Sequence, residues 1–189
     1  QRYSQVLPPG PAGVGGSPYA SYSALAGNPL FIDLGGLVEQ GLLKKGRCKR
    51  AFWGEDAALV DYDAVRAGRE KLLRRAFENF TDEKALGRFR RENAFWVEDY
   101  ALYMALKSRF DGAPWTQWPQ ALRLRQPQAL KRWAQLCQQD VAYHVFTQYW
   151  FFRQWGALQA YANGKGGDIL GDAPIYVALD RARAWAPAG

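Results

Sequence analysis

Gly167 to Asp180 reads GDILGDAPIYVALD. Ile169-Leu170 and Ile175-Tyr176-Val177 are apolar or β-branched, and no charge interrupts the run from Pro174 to Leu179. A run that apolar fits a strand covered on both faces, as in the middle of a parallel sheet. Just upstream, Gly164, Gly166 and Gly167 supply a helix stop and the turn into the strand, the order of an α-to-β connection. The fold class expected is therefore α/β. In parallel β/α architectures the reactive groups sit at the carboxyl ends of strands, and Asp180 stands at that end.

Working outward, the chain has 189 residues, 48% hydrophobic and 15% aromatic. That is enough for one domain with a real core and short of the roughly 250 residues of a complete eight-fold β/α barrel. The first residue is Gln, the sole Met is Met104, and the chain stops at Pro187-Ala188-Gly189, soon after its best strand. We read it as an internal stretch of a longer protein. No run approaches the roughly 20 apolar residues of a membrane span, and no charged-then-apolar leader opens the chain. No membrane is expected among its partners. Cys48 and Cys137 lack CxxC or Cys/His spacing, so reduced, structural thiols and a cytoplasmic setting are expected. The lone His144 has no second ligand near it in sequence and reads as a packed or surface side chain; no metal and no cofactor is expected. The net charge of +7 raises nucleic acid as a partner, with clusters at Lys44 to Arg50 and Arg88 to Arg91. The other basic residues alternate with acids on helices, as solvated faces do, and no zinc-finger, RNP-like or helix-turn-helix pattern accompanies them. Nucleic acid is set aside.

Before the quoted strand, Gln5-Val6-Leu7 reads as a short strand ended by Pro8-Pro9, since proline cannot donate to a sheet ladder. The Gly/Pro/Ser stretch that follows, through Tyr19 and Tyr22 to Pro29, has no periodicity. It is either a binding loop or a tight turn filled by tyrosines. Leu34 to Phe52 reads as a short helix and a basic turn, Val60 to Asp63 as the cap of a helix running to about Phe80, and Thr81-Asp82-Glu83 as the cap of another. A third helix, from about Glu92 to Ser108, is apolar on most sides and should be buried. Its adjacent Glu98 and Asp99 point about 100° apart and so make a poor acid/base pair around one bond; surface or capping contacts fit them better. After the aromatic loop Pro114 to Pro119, the stretch from about Gln126 to Asn163 reads as one long or gently kinked helix whose aromatic residues are core. No Ser/His/Asp set, P-loop or dinucleotide fingerprint is present.

Four stretches resemble one family, the 4-α-glucanotransferases of glycoside hydrolase family 77, known as amylomaltases or disproportionating enzymes. QVLPPGPAGVGGSPYASYSALAGNPLFIDL from Gln5 to Leu34 is similar to its strand-and-loop signature, with SPY, SA and AGNP elements. FWVEDYALYMALK from Phe95 to Lys107 resembles an interior helix, PWTQWP from Pro114 to Pro119 the loop after it, and Phe146 to Asp180 the helix and strand that precede the active site.

The resemblance implies a fragment of a (β/α)8 TIM barrel, about strands 2 to 3, with Gln5 to Leu7 in the second and Asp168 to Val177 in the third. Residues 1–189 would form a single partial catalytic domain, with a mostly helical insertion at residues 35–126. It implies transfer of α-1,4-glucan segments between malto-oligosaccharides with retention of configuration: a carboxylate attacks the anomeric carbon, a carboxylic acid protonates the leaving oxygen, and a sugar hydroxyl accepts the glycosyl group. The nucleophilic Asp and the acid/base Glu are expected after Gly189, so no catalytic residue is expected in this chain. Tyr19 matches the family's tyrosine beside the cleaved sugar, Asp180 the aspartate that hydrogen-bonds it, and Ser17 is a further substrate-binding carry-over. Asp172 reads as structural. Arg181 stands where the family often has serine, and Val14 and Arg66 stand where some members carry tyrosines of an accessory glucan site. The alternative is an inactive carbohydrate-binding remnant of such an enzyme.

Overall fold

Tyr3–Gln5 (β1) and Asp168–Leu170 (β2) pair in parallel, Tyr3 opposite Asp168 and Gln5 opposite Leu170. The computed structural model describes residues 2–13, 17–55, 58–172 and 179–186. The pairing is continued by the Val6 amide, which donates to the Leu170 carbonyl at 2.9 Å. The first strand thus lies earlier than the expected Gln5 to Leu7. The ladder ends at Val6, leaving Leu7 58% exposed, and Pro8-Pro9 has no amide to extend it. Of the stretch Gly167 to Asp180, the described strand comprises Asp168–Leu170 alone, and Ile175-Tyr176-Val177 lies outside the described residues. The expected burial on both faces is not found over the described part: Asp168 and Leu170 are exposed. Among the described residues the sheet consists of β1 and β2.

Between the strands the chain is helical: α1 (Leu34–Glu39), α2 (Lys45–Lys49), α3 (Tyr62–Glu78), α4 (Glu83–Glu92), α5 (Val97–Arg109), α6 (Gln120–Arg123), α7 (Pro127–Leu136) and α8 (Gln138–Gly164), with α9 (Ala182–Trp185) after β2. The expected caps are in place. Asp61 accepts from the amides of Asp63 and Ala64, and Asp82 accepts from that of Ala85, satisfying donors that a helix start leaves open. The basic turn after α1 proves to be the short helix α2. The third expected helix begins later, at Val97, because Asn93 to Trp96 form turns held by the Asn93 side chain, which donates to the Phe89 carbonyl and accepts from Trp96 Nε1. The stretch from Gln126 to Asn163 forms two helices. Pro127 starts α7, where a missing amide costs nothing, and the buried Cys137, at φ −103° and ψ 19°, separates α7 from α8.

The core lies where α5 packs on α8. Tyr103, Leu106, Val145 and Phe146 are fully buried there, and Phe77, Phe80, Phe89 and Tyr149 add tilted and edge-on ring contacts. Tilted rings suit the aromatic quadrupole better than face-to-face stacking. At its far end α8 stops on Gly166, whose φ of +75° suits glycine, and the Gly167 amide folds back to the Ala162 carbonyl at 3.0 Å.

Two glutamines of α8 hold the irregular stretch before α1. The Gln148 carboxamide accepts from the Gly27 amide at 2.7 Å and donates to the Gly27 carbonyl at 3.0 Å. Gln154 does the same to Asp33, at 2.7 and 3.0 Å. A Cβ on Gly27 would overlap the Phe151 ring, so the backbone reaches Gln148 at this depth because position 27 is glycine. Asp33 in turn caps α1 through the amides of Gly35 and Gly36.

Candidate functional site

The loop that leaves β1 folds back on itself. An antiparallel bridge pairs Ala12 with Ser21, and the buried Ser21 hydroxyl donates to the Ser23 carbonyl at 2.7 Å. The packed-turn reading holds at one of the loop's two tyrosines. Tyr22 is filler, half-buried and packed on Tyr103 with ring centroids 6.3 Å apart. Tyr19, at 45% exposure, is not. The Ser17 hydroxyl oxygen accepts from the Tyr19 amide at 3.3 Å, closing the turn that presents the ring. At its tip the Tyr19 hydroxyl donates to Asp172 Oδ2 at 2.8 Å. That bond to a carboxylate raises the phenol's pKa.

Asp180 has a denser set of partners. Its Oδ1 accepts from the Tyr103 hydroxyl at 2.7 Å and from the Trp115 amide at 3.2 Å. Its Oδ2 accepts from Lys107 Nζ in a close ion pair. Lys107 is 5% exposed, and a lysine buried that deeply requires a paired carboxylate. The same ammonium reaches the Ala113 carbonyl at 3.3 Å and lies 5.2 Å from the centre of the Tyr22 ring. Burial, reinforced by the Asp180 carboxylate, drives the Tyr103 hydroxyl far above the ordinary tyrosine range. Trp118 and Trp185 both pack on the Tyr103 ring and stand 5.5 Å apart, edge to face. The two loops are joined, because the Ala182 amide donates to the Tyr22 carbonyl at 2.9 Å.

Tyr19 and Asp180, singled out in the sequence, therefore sit on connected loops but keep different partners. Tyr19 meets Asp172, and Asp180 meets α5 and the loop after it. Sequence reasoning missed Tyr103, Lys107 and the Trp115 amide. A signal existed: Tyr100, Tyr103 and Lys107 recur at helical spacing on the apolar side of α5, and a charge on such a face needs a partner.

Two clefts of about 550 Å³ flank these loops. Asp172, Ser21, Phe151, Trp155 and Arg181 border one. Tyr22, Asn28, Arg66, Arg69 and His144 border the other. Arg181 is 5% exposed and its Nε has no partner among the described residues; burial, then the neighbouring Arg183, lowers its pKa. Arg66 is 3.6 Å from Asp63, and Val14 lies outside the described residues. Glu98 and Asp99 are engaged in ion pairs with Arg90 and Arg125, as their spacing implied. His144 is packed, 8% exposed, its pKa pulled down to about 4 chiefly by burial. Among the described residues no three His, Cys, Asp or Glu side chains are grouped so as to hold a metal.

A sequence profile described as 4-alpha-glucanotransferase matches residues 1–188. The chain belongs to the 4-alpha-glucanotransferase family. It is 46% identical to a 4-alpha-glucanotransferase of Thermus thermophilus over 98% of this chain and 37% of that relative. It is 45% identical to one of Streptococcus pneumoniae (strain TIGR4), over 98% of this chain and 38% of the relative. The chloroplastic/amyloplastic 4-alpha-glucanotransferase of Arabidopsis thaliana is 34% identical over 96% of the chain. The fold matches an amylomaltase from Streptococcus agalactiae, solved in complex with acarbose, with a TM-score of 0.94 and 36% identity, covering 99% of this chain and 39% of the other. The chain thus spans 37% of the length of its Thermus relative. No helix among the described residues is long and apolar enough to cross a membrane.

Proposed function

We propose that this chain is the part of a retaining 4-α-glucanotransferase that shapes the sugar site, and that the protein to which it belongs moves α-1,4-glucan segments between malto-oligosaccharides. The observation that carries the reading is the parallel pairing of β1 with β2 across a long helical connection, in a fold that overlays an amylomaltase complexed with acarbose. In this reading β1 and β2 belong to the second and third strands of a (β/α)8 TIM barrel, residues 1–189 form one partial catalytic domain, and residues 35–126 are its helical insertion. Tyr19 offers a half-exposed ring to a pyranose face, Ser17 sets the turn that presents it, and Asp180 accepts a sugar hydroxyl. The nucleophilic Asp and the acid/base Glu belong to the remainder of the protein, at the roughly 5 Å separation of a retaining pair. A cytoplasmic setting with two reduced thiols completes the reading.

The test is kinetic. In the full-length protein containing this chain, Asp180→Ala should lower the rate of glucose release from maltotriose on the order of 100-fold, the scale of a misplaced substrate contact. An unchanged rate would remove Asp180 from the sugar site. Absence of any transfer by the unmodified full-length protein, with retained maltotriose binding, would favour the carbohydrate-binding remnant.

A further inference from the structure

We infer that Lys107 is a positioning residue for the transfer reaction: through its ion pair with Asp180 Oδ2, it fixes the direction in which that carboxylate offers a sugar hydroxyl the acceptor position that no described residue fills. The inference rests on the reading of Asp180 as a sugar ligand.

An ionised carboxylate has roughly four acceptor positions, two on each oxygen. Oδ1 uses both, on the Tyr103 hydroxyl and the Trp115 amide. Oδ2 uses one, on Lys107. Among the described residues the fourth position, on Oδ2, meets no donor, and the Asp180 side chain is 26% exposed. Lys107 cannot follow a moving carboxylate, because it is buried, reaches the Ala113 carbonyl, and lies near the Tyr22 ring. Tyr22 belongs to the loop that presents Tyr19, and its carbonyl accepts from Ala182, next to Arg181. The ammonium thus ties the Asp180 carboxylate to the loop carrying the tyrosine. Nothing in this role requires Lys107 to touch substrate.

The experiment is a double-mutant cycle in the full-length protein, with maltotriose as substrate and acarbose as the binding probe. Lys107→Met removes the ammonium and keeps most of the side-chain volume. Tyr103→Phe, which deletes one hydroxyl, serves as the second variant should Lys107→Met not fold. If the inference holds, Asp180→Asn and Lys107→Met each lower kcat/KM on the order of 10- to 100-fold. The double variant is then no worse than Asp180→Asn alone, and Lys107→Arg recovers part of the loss. Acarbose affinity falls in parallel. A merely structural lysine would lower thermal stability and leave the two kinetic effects to multiply. Multiplying effects, or a Lys107→Met and Tyr103→Phe pair with unchanged kinetics beside a crippled Asp180→Asn, would overturn the inference and leave the Asp180 assignment standing. Unchanged kinetics in Asp180→Asn would overturn the assignment and the inference with it.

Discussion

His144 is the single imidazole of the chain, and its surroundings make it a stability sensor of known sign. Buried on α8, flanked by Arg74 and Asp140 and bordering a cleft, it has its pKa lowered from 6.5 to about 4. In the unfolded chain it takes up a proton near pH 6.5; in the folded one it does so only near pH 4. Across that window the unfolded state binds more protons, so stability falls as pH falls. The full loss is on the order of 3 kcal/mol. In the full-length protein, His144→Gln should flatten the decline in denaturant midpoint between pH 6.5 and 4 relative to the unmodified protein; parallel profiles would contradict the assignment. What the sequence allowed for this residue was its packing. The size of its pKa displacement depends on burial by α3 and α8, which one-dimensional spacing does not contain. Asp172 shows the same limit: its place near the strand suggested a structural role, and its bond to the Tyr19 hydroxyl joins positions 153 residues apart.

Helix α8 is the element on which most of the packing depends. Phe146 is fully buried against Phe77 and Phe80, and Phe146→Ala should cost about 3–5 kcal/mol, read as a lowered denaturant midpoint in the full-length protein. Gln148 offers a sharper distinction. Gln148→Leu keeps the bulk but leaves the buried Gly27 amide and carbonyl without partners, at about 1–3 kcal/mol for each group. Gln154→Leu, at the exposed counterpart, should cost less because water can replace it. Equal losses would show that the two contacts are not distinguished by burial. The apolar periodicity of α3, α5 and α8 was legible because each buries a wide stripe. The breaks were not. Cys137 divides α7 from α8 while keeping its amide bonded to the Trp133 carbonyl, so no Gly or Pro marks the place. The strand ends were misread for a related reason: a three-residue parallel ladder is set by which residues face each other, and the apolar pattern alone gives Leu7 as good a claim as Tyr3.

At the scale of the molecule, apolar surface lies exposed on the two described strands and near the end of α8: Tyr3 at 54%, Leu170 at 48%, and Leu158 and Tyr161 at 50% and 67%. Open strand edges beside such residues favour association. Expressed alone, the 189 residues should aggregate or melt without a cooperative transition; a monomer by size exclusion with one sharp calorimetric peak would contradict this. The glutamine pair on α8 carries a different implication, a measure of length. Gly27 and Asp33 are 33 − 27 = 6 residues apart, and so are Gln148 and Gln154, 154 − 148 = 6. Six helical residues advance about 9 Å, so α8 acts as a ruler against which the intervening loop is cut. Adding or removing one residue between Gly27 and Asp33 would let a single glutamine find its mate. The stretch that leads from the tyrosine loop into α1 should therefore tolerate changes of side chain far better than changes of length.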